Sequence, residues 1–267
     1  MDQALDLTSG SIDHVYAILE YWALSSARVL GATMLFTAFI WGRISSGIIR
    51  SVLALALALP VMGPVWGQPE HALAMVNGGY LFDLVKELGL GLLLGFIASL
   101  PLEAIGAAGN VIDASRGGGS LPGPGGDNTT FGQLFMVIAL WLFASLGGFW
   151  RFADMIYSSF GLWPVNQPLP AFNSAALQAL YTFLAQLLLT VITLAGPPMA
   201  LLLLTDVTLL TANRLGKRMN VLDLSMSMKN ILLVGIMPLY ALVVVRVVTG
   251  QFPMIFDLGL LQLAFKH

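Results

Sequence analysis

Between Asp154 and Asp206 this chain contains no Asp, Glu, Lys or Arg, and between Asp127 and Arg151 it again contains none. Soluble domains draw about a quarter of their residues from those four types, so gaps of this length leave few folds open. Each gap is long enough to cross a bilayer, whose ~30 Å hydrocarbon core takes about 20 mostly apolar helical residues. Composition points the same way: 57% of the 267 residues are hydrophobic, 10% are charged, and the mean hydropathy is +0.84. Backbone groups in lipid are satisfied only by helices or closed barrels, and barrel strands alternate polar and apolar residues. Leu92–Leu94 and Leu201–Leu204 are continuous apolar runs without that alternation. The expected fold class is an all-α integral membrane protein.

The hydropathy pattern predicts six apolar segments: Tyr21–Trp41, Ile48–Trp66, Leu88–Ala108, Phe131–Trp150, Leu177–Thr205 and Ile231–Val248. Several are imperfect as spans. Arg28 lies in the first, Arg50 near the start of the second, and Glu103 follows Pro101 in the third. Pro197 and Pro198 should kink or break the fifth, because they lack amide donors. Such defects are expected to be covered by partner helices or a water-filled cavity, so assembly with other subunits is expected. Gly91 and Gly95 have the spacing that lets helix backbones approach closely, within the chain or across an interface. Gly147–Gly148 is expected either to pack closely or to bend the fourth segment.

Met1–Asp13 carries three Asp and no Lys or Arg, which is unlike the positive start of a cleaved signal. The first apolar helix is therefore expected to remain in the mature chain. Alternating the connections places Arg43, Arg50, Arg116, Arg214, Lys217, Arg218 and Lys229 on one side, and Lys86, Arg151, Arg246 and Lys266 on the other. Seven against four assigns the first set to the cytoplasm, with both termini on the opposite side.

Signals for chemistry are sparse. Cys is absent, which excludes disulfides and thiolate sites. His14, His71 and His267 lie far apart, and none shares a helical face with a second metal ligand. The glycine-rich stretch Arg116–Thr130 lacks the Gly-Lys-Ser/Thr ending of a P-loop, and Gly216-Lys217-Arg218 also fails that pattern. Ser120 is not in a nucleophile elbow. No catalytic, cofactor or metal residue is therefore assigned, and a net charge of −2 gives no reason to expect nucleic acid. Charges at membrane depth are costly and often functional, which singles out Glu103, Asp113 and Asp206. Asp113 and Arg116 stand three apart, so on a helix they can pair and anchor the adjoining loop. Asp206 is left between a structural and a relay role. Met219, Met226 and Met228 cluster near the basic group Arg214, Lys217 and Arg218, which suits either anionic lipid or a protein partner.

Two blocks carry a resemblance. PLEAIGAAGNVIDASRG at Pro101–Gly117 and PMALLLLTDVTLLTANRLGKRMNVLDLSMSMK at Pro198–Lys229 resemble the type III secretion export-gate family that contains flagellar FliR and injectisome SctT. The matching positions are Gly109, Asp113 and Arg116 in the first block. In the second they are Pro198, Asp206, Arg214, Asn220, Val221 and Lys229. Gly216–Met219 departs from the Ala-Pro that family members often have before Asn-Val, and Leu224–Met226 is closer to the injectisome branch.

The resemblance implies a non-enzymatic subunit of a helical, pore-forming complex in the bacterial inner membrane. Its implied partners are R-type and S-type gate subunits, U-type and V-type export-apparatus subunits, membrane lipid, and unfolded secreted proteins as cargo. It also implies an R-subunit-like front half over residues 1–165 and an S-subunit-like helical hairpin over residues 166–267, divided near the proline-rich break Gly161–Pro170. The family's glycine-rich loop plugs the closed pore. Gly117, Gly118, Gly119, Ser120, Leu121, Pro122, Gly123, Pro124, Gly125 and Gly126 occupy that place here. A stand-alone secondary transporter is the competing reading, since broken helices with buried acids suit one. No inverted repeat supports it.

The topology reading is checked by reporter fusions after Arg218 and after His267. Cytoplasmic activity is expected at the first and periplasmic activity at the second; the opposite pattern rejects the assignment.

Overall fold

The computed structural model describes residues 2–41, 47–62, 79–117, 129–165, 167, 174–215 and 221–255. These residues form helices α1 (Asp2–Leu35), α2 (Thr37–Trp41), α3 (Gly47–Ala58, continued by a 3-10 turn over Leu59–Met62) and α4 (Tyr80–Ser115). The remaining helices are α5 (Thr130–Ser145), α6 (Gly148–Leu162), α7 (Ser174–Leu215) and α8 (Val221–Ile255). No strand occurs among the described residues, and the chain is an all-α membrane protein.

Three helices are long and apolar enough to cross a membrane, over Tyr80–Ser115, Leu177–Ala212 and Ser225–Gly250; the α5–α6 pair makes a fourth if it is counted as one broken span. Of the six apolar segments marked by hydropathy, not all lie on helices of spanning length. The first predicted segment is cut at Phe36, and α3 has only 12 residues. The long helices also overshoot: at about 1.5 Å per residue the 42 residues of α7 extend about 63 Å, twice a ~30 Å bilayer core. Hydropathy finds apolar stretches but cannot tell how far a helix continues beyond them.

The described residues form two compact units. One is drawn from Met1–Ser99 and Phe149–Leu177, the other from Leu100–Gly148 and Gln178–Asp257. The division falls inside α4, beside Pro101. In the first unit α1 packs directly on the front of α4. A Cβ on Gly91 would collide with the Arg28 carbonyl, one on Gly95 with the Ala32 carbonyl, and one on Gly31 with the Leu88 carbonyl. The glycine spacing therefore serves contact within the chain.

Where α1 ends and α2 begins, Ser99 of α4 mends the gap. Its hydroxyl accepts from the Thr37 amide at 2.9 Å and donates to the Leu35 carbonyl at 2.7 Å. Phe36, at the break, stacks on Phe152 with centroids 4.2 Å apart and planes 8° from parallel.

Hydropathy marks Arg28 as a charge in need of a partner subunit, but it is satisfied inside the first unit. Its Nε lies 2.6 Å from Glu87 Oε2, Nη2 donates to the Trp163 carbonyl at 2.9 Å, and Phe160 faces the guanidinium at 4.1 Å. Lys86 is also buried, with Nζ donating to the carbonyls of Val165 and Gln167 and lying 3.3 Å from Asp83. Two cations thus bind backbone carbonyls of the segment just beyond α6, which no helical ladder serves. Lys86 is accordingly no topology marker, and neither is Lys229, which is buried in α8. The charge bias then rests on the other basic residues.

Of the kink or break expected at Pro197–Pro198, the break is not present, because α7 runs through both prolines. Pro198 cannot donate to the carbonyl of Leu194, and the Tyr240 hydroxyl of α8 donates to that carbonyl instead. Both outcomes expected at Gly147–Gly148 are present: a Cβ on Gly148 would run into the Phe143 ring, and the helix is interrupted at Gly147. Gly147 adopts φ +75°, and the chain leaves α5 there to begin α6.

Gly91→Ala is expected to destabilise the protein by about 1–3 kcal/mol through backbone overlap. Gly89→Ala, where nothing opposes a Cβ, is expected to be neutral or slightly stabilising. Thermal unfolding of both variants in detergent distinguishes them.

Candidate functional site

The glycine-rich loop leaves α4 at Arg116–Gly117 and returns at Thr129. Among its sequence-assigned residues only Gly117 is described; residues 118–126 lie outside the described residues. The two ends are described, and they are fastened to each other. Gly117 closes α4 with φ +81°, a left-handed conformation that side chains other than glycine resist. Its amide donates to the Ala114 carbonyl at 3.2 Å. At the return, Thr129 caps α5, its hydroxyl accepting from the Gly132 amide at 3.3 Å and donating to Asn110 Oδ1 at 2.8 Å.

Asp113 joins the two ends. It is fully buried; Oδ2 accepts from the Phe131 amide at 2.6 Å, and Oδ1 lies 2.6 Å from Arg116 Nη2. The contact with Arg116 is ionic without hydrogen-bond alignment, and Arg116 Nε finds no partner among the described residues. One carboxylate therefore holds the residue before the loop and the backbone after it. Gly109 permits this approach, since a Cβ there would run into the Phe131 carbonyl. Gly132 does the same from the other side, against Asn110. The Arg116 guanidinium also faces the Phe131 ring, 5.0 Å from its centroid.

The α7–α8 hairpin closes on the same end of α4. Arg116 Nη1 donates to Asn230 Oδ1 at 2.9 Å. Lys229 Nζ lies 2.7 Å from Asp206 Oδ2 and 3.4 Å from the Ser115 carbonyl, and Ser225 donates to Asp206 Oδ1 at 3.1 Å. Met226 Cε comes within 3.2 Å of where a Cβ on Gly117 would stand. Asp206, left open by the sequence, is thus an ion-pair partner of Lys229.

Five of the sequence-assigned motif residues, Gly109, Asp113, Arg116, Asp206 and Lys229, meet around the start of the loop. Pro198 and Arg214 do not join them. Pro198 lies within α7, and Arg214 is exposed in its last turn, where a cation complements the negative end of the helix. Asn220 lies outside the described residues, and Val221 begins α8. Sequence reasoning missed Asn110, Thr129, Ser225 and Asn230. Only Thr129 had a readable signal, a capping residue immediately before an apolar run.

Fold and site together define a helical membrane protein with one loop clamped at both ends. The profile described as bacterial export proteins, family 1, matches residues 19–255. Yop proteins translocation protein T of Yersinia pestis is 32% identical over 188 residues, covering 68% of this chain and 71% of that protein. Surface presentation of antigens protein SpaR of Salmonella typhimurium is 29% identical over 233 residues, covering 85% and 84%. Secretion system apparatus protein SsaT of the same organism is 24% identical over 214 residues, covering 79% and 82%. The chain belongs to bacterial export proteins, family 1, and is a component of a type III secretion export apparatus.

Asp113→Ala is expected to destabilise the protein by about 3–5 kcal/mol, because it strands the Arg116 charge and the Phe131 amide. Asp113→Asn, which can still accept from that amide, is expected to have a smaller effect. Asp206→Ala is expected to cost less than Asp113→Ala, since the Asp206 carboxylate is about one-third exposed and solvent screens its pair with Lys229. Apparent melting temperatures of the three purified variants should follow that order.

Proposed function

We propose that this subunit forms, with R-type and S-type gate subunits, the inner-membrane pore through which unfolded proteins enter the secretion apparatus, and that residues 117–126 seal the closed pore. U-type and V-type subunits are the further partners, and an injectisome is the system. The chain provides position and closure, not catalysis. The observation that supports this reading is the clamp on the loop. Glycine adds no side chain to the loop and allows close backbone approach, while Pro122 and Pro124 restrict its conformations. Asp113 meanwhile fixes both ends of the loop on α4.

The injectisome assignment is supported by the relatives, among them the Yersinia pestis protein named for translocation of Yop proteins. The division into an R-subunit-like front part, residues 1–165, and an S-subunit-like hairpin, residues 166–267, belongs to the same proposal. The α7–α8 hairpin is the element that supports it.

Removing Gly118, Gly119, Gly125 and Gly126 tests the seal. The shortened chain should still co-purify with R-type and S-type subunits, while cells carrying the full apparatus become permeable to ions or small dyes. An assembled, shortened complex with unchanged permeability would reject the seal.

A further inference from the structure

Pro198 removes from α7 the amide that would bond the Leu194 carbonyl four residues earlier. Leu194 is fully buried, so water cannot replace that donor. Tyr240 of α8, itself buried, directs its hydroxyl to this carbonyl. Its ring stacks against Phe135 of α5, with centroids 6.4 Å apart and planes at 23°. Next to the bond lies a hollow of about 90 Å³, walled by Pro197, Pro198 and Tyr240, with Leu201, Leu233 and Met237.

We propose that Pro197–Pro198 is a hinge in α7 and that the Tyr240 hydroxyl is the pin that keeps it helical. Without that hydroxyl the turn has a buried acceptor and no donor, the condition under which helices kink at proline. The hollow supplies room: close-packed interiors resist displacement, whereas a partly open hollow beside the prolines lets the turn move without displacing another side chain of the protein. Phe135 stacks against the ring, so α5 as well as α8 contributes to the pin's surroundings. The hinge lies in described residues of one compact unit and does not depend on the loop's role as a seal.

The test is a double-mutant cycle on the full-length chain in detergent micelles, read by hydrogen exchange of the α7 amides from Ala195 to Leu202. Tyr240→Phe retains the ring and its stacking while removing only the hydroxyl. About tenfold faster exchange in this segment is expected, the effect of one lost hydrogen bond of ordinary net strength. Pro198→Ala restores the missing amide, so in that background Tyr240→Phe should leave exchange unchanged. Equal exchange in wild type and Tyr240→Phe would overturn the proposal. So would an acceleration that persists with Pro198→Ala, since it would trace the effect to repacking of the ring. If Tyr240→Phe yields no folded protein, recovery of folded protein on adding Pro198→Ala supports the pin, and failure to recover it rejects the pin.

Discussion

A carboxylate withdrawn completely from solvent is costly unless charge and hydrogen bonds surround it, and Asp113 finds its partners at the two ends of one loop. Arg116 precedes the loop and the Phe131 amide lies just beyond it. The arrangement around them depends on that constraint. Gly109 and Gly132 are small so that the Phe131 backbone can reach the carboxylate. Thr129 and Asn110 hold the returning turn in place. Arg116, so placed, extends a second nitrogen to Asn230 and brings α8 into the cluster. In the other unit the same rule governs Arg28 and Glu87, which are buried together and solvate each other where lipid or packed side chains cannot.

Contacts set by spacing are legible in the sequence, whereas contacts made through backbone groups are hidden in it. Asp113 and Arg116 can be paired in advance because positions three apart share a helix face. The Phe131 amide cannot, because every residue but proline carries one. Charge-free stretches mark the apolar helices but not their ends, so α7 and α4 run well beyond the predicted segments. Arg28 reads as a defect in a span because its partner Glu87 lies 59 residues away in sequence. Gly91 and Gly95 signal a close approach, and only the fold shows that α1 is the element approaching.

The proline pair illustrates a failure of a different kind. Proline in a helix does mean a missing donor, but the inference to a break assumes that nothing else will donate. A tyrosine more than forty residues downstream does so. Composition rules describe the local cost, and tertiary structure decides whether that cost is met. The same reasoning applies to Lys86, whose charge suggests a loop facing water. It is buried because the carbonyls of Val165 and Gln167 need a donor.

These substitutions of side chain for backbone fix the two ends of a segment rich in glycine. Glycine loses more conformational freedom on ordering than any other residue, so Gly117–Gly126 contributes little to fixing its own position. The order at its ends has to come from elsewhere. It comes from α4 through Asp113, Ser115 and Arg116, from the cap at Thr129, and from α8 through Lys229, Asn230 and Met226. Fixed ends also lower the entropy of the segment between them, because a loop whose ends are already joined has fewer conformations to lose. Segment composition and anchoring are therefore complementary: the clamp lets the loop consist of residues chosen for small size and not for local order.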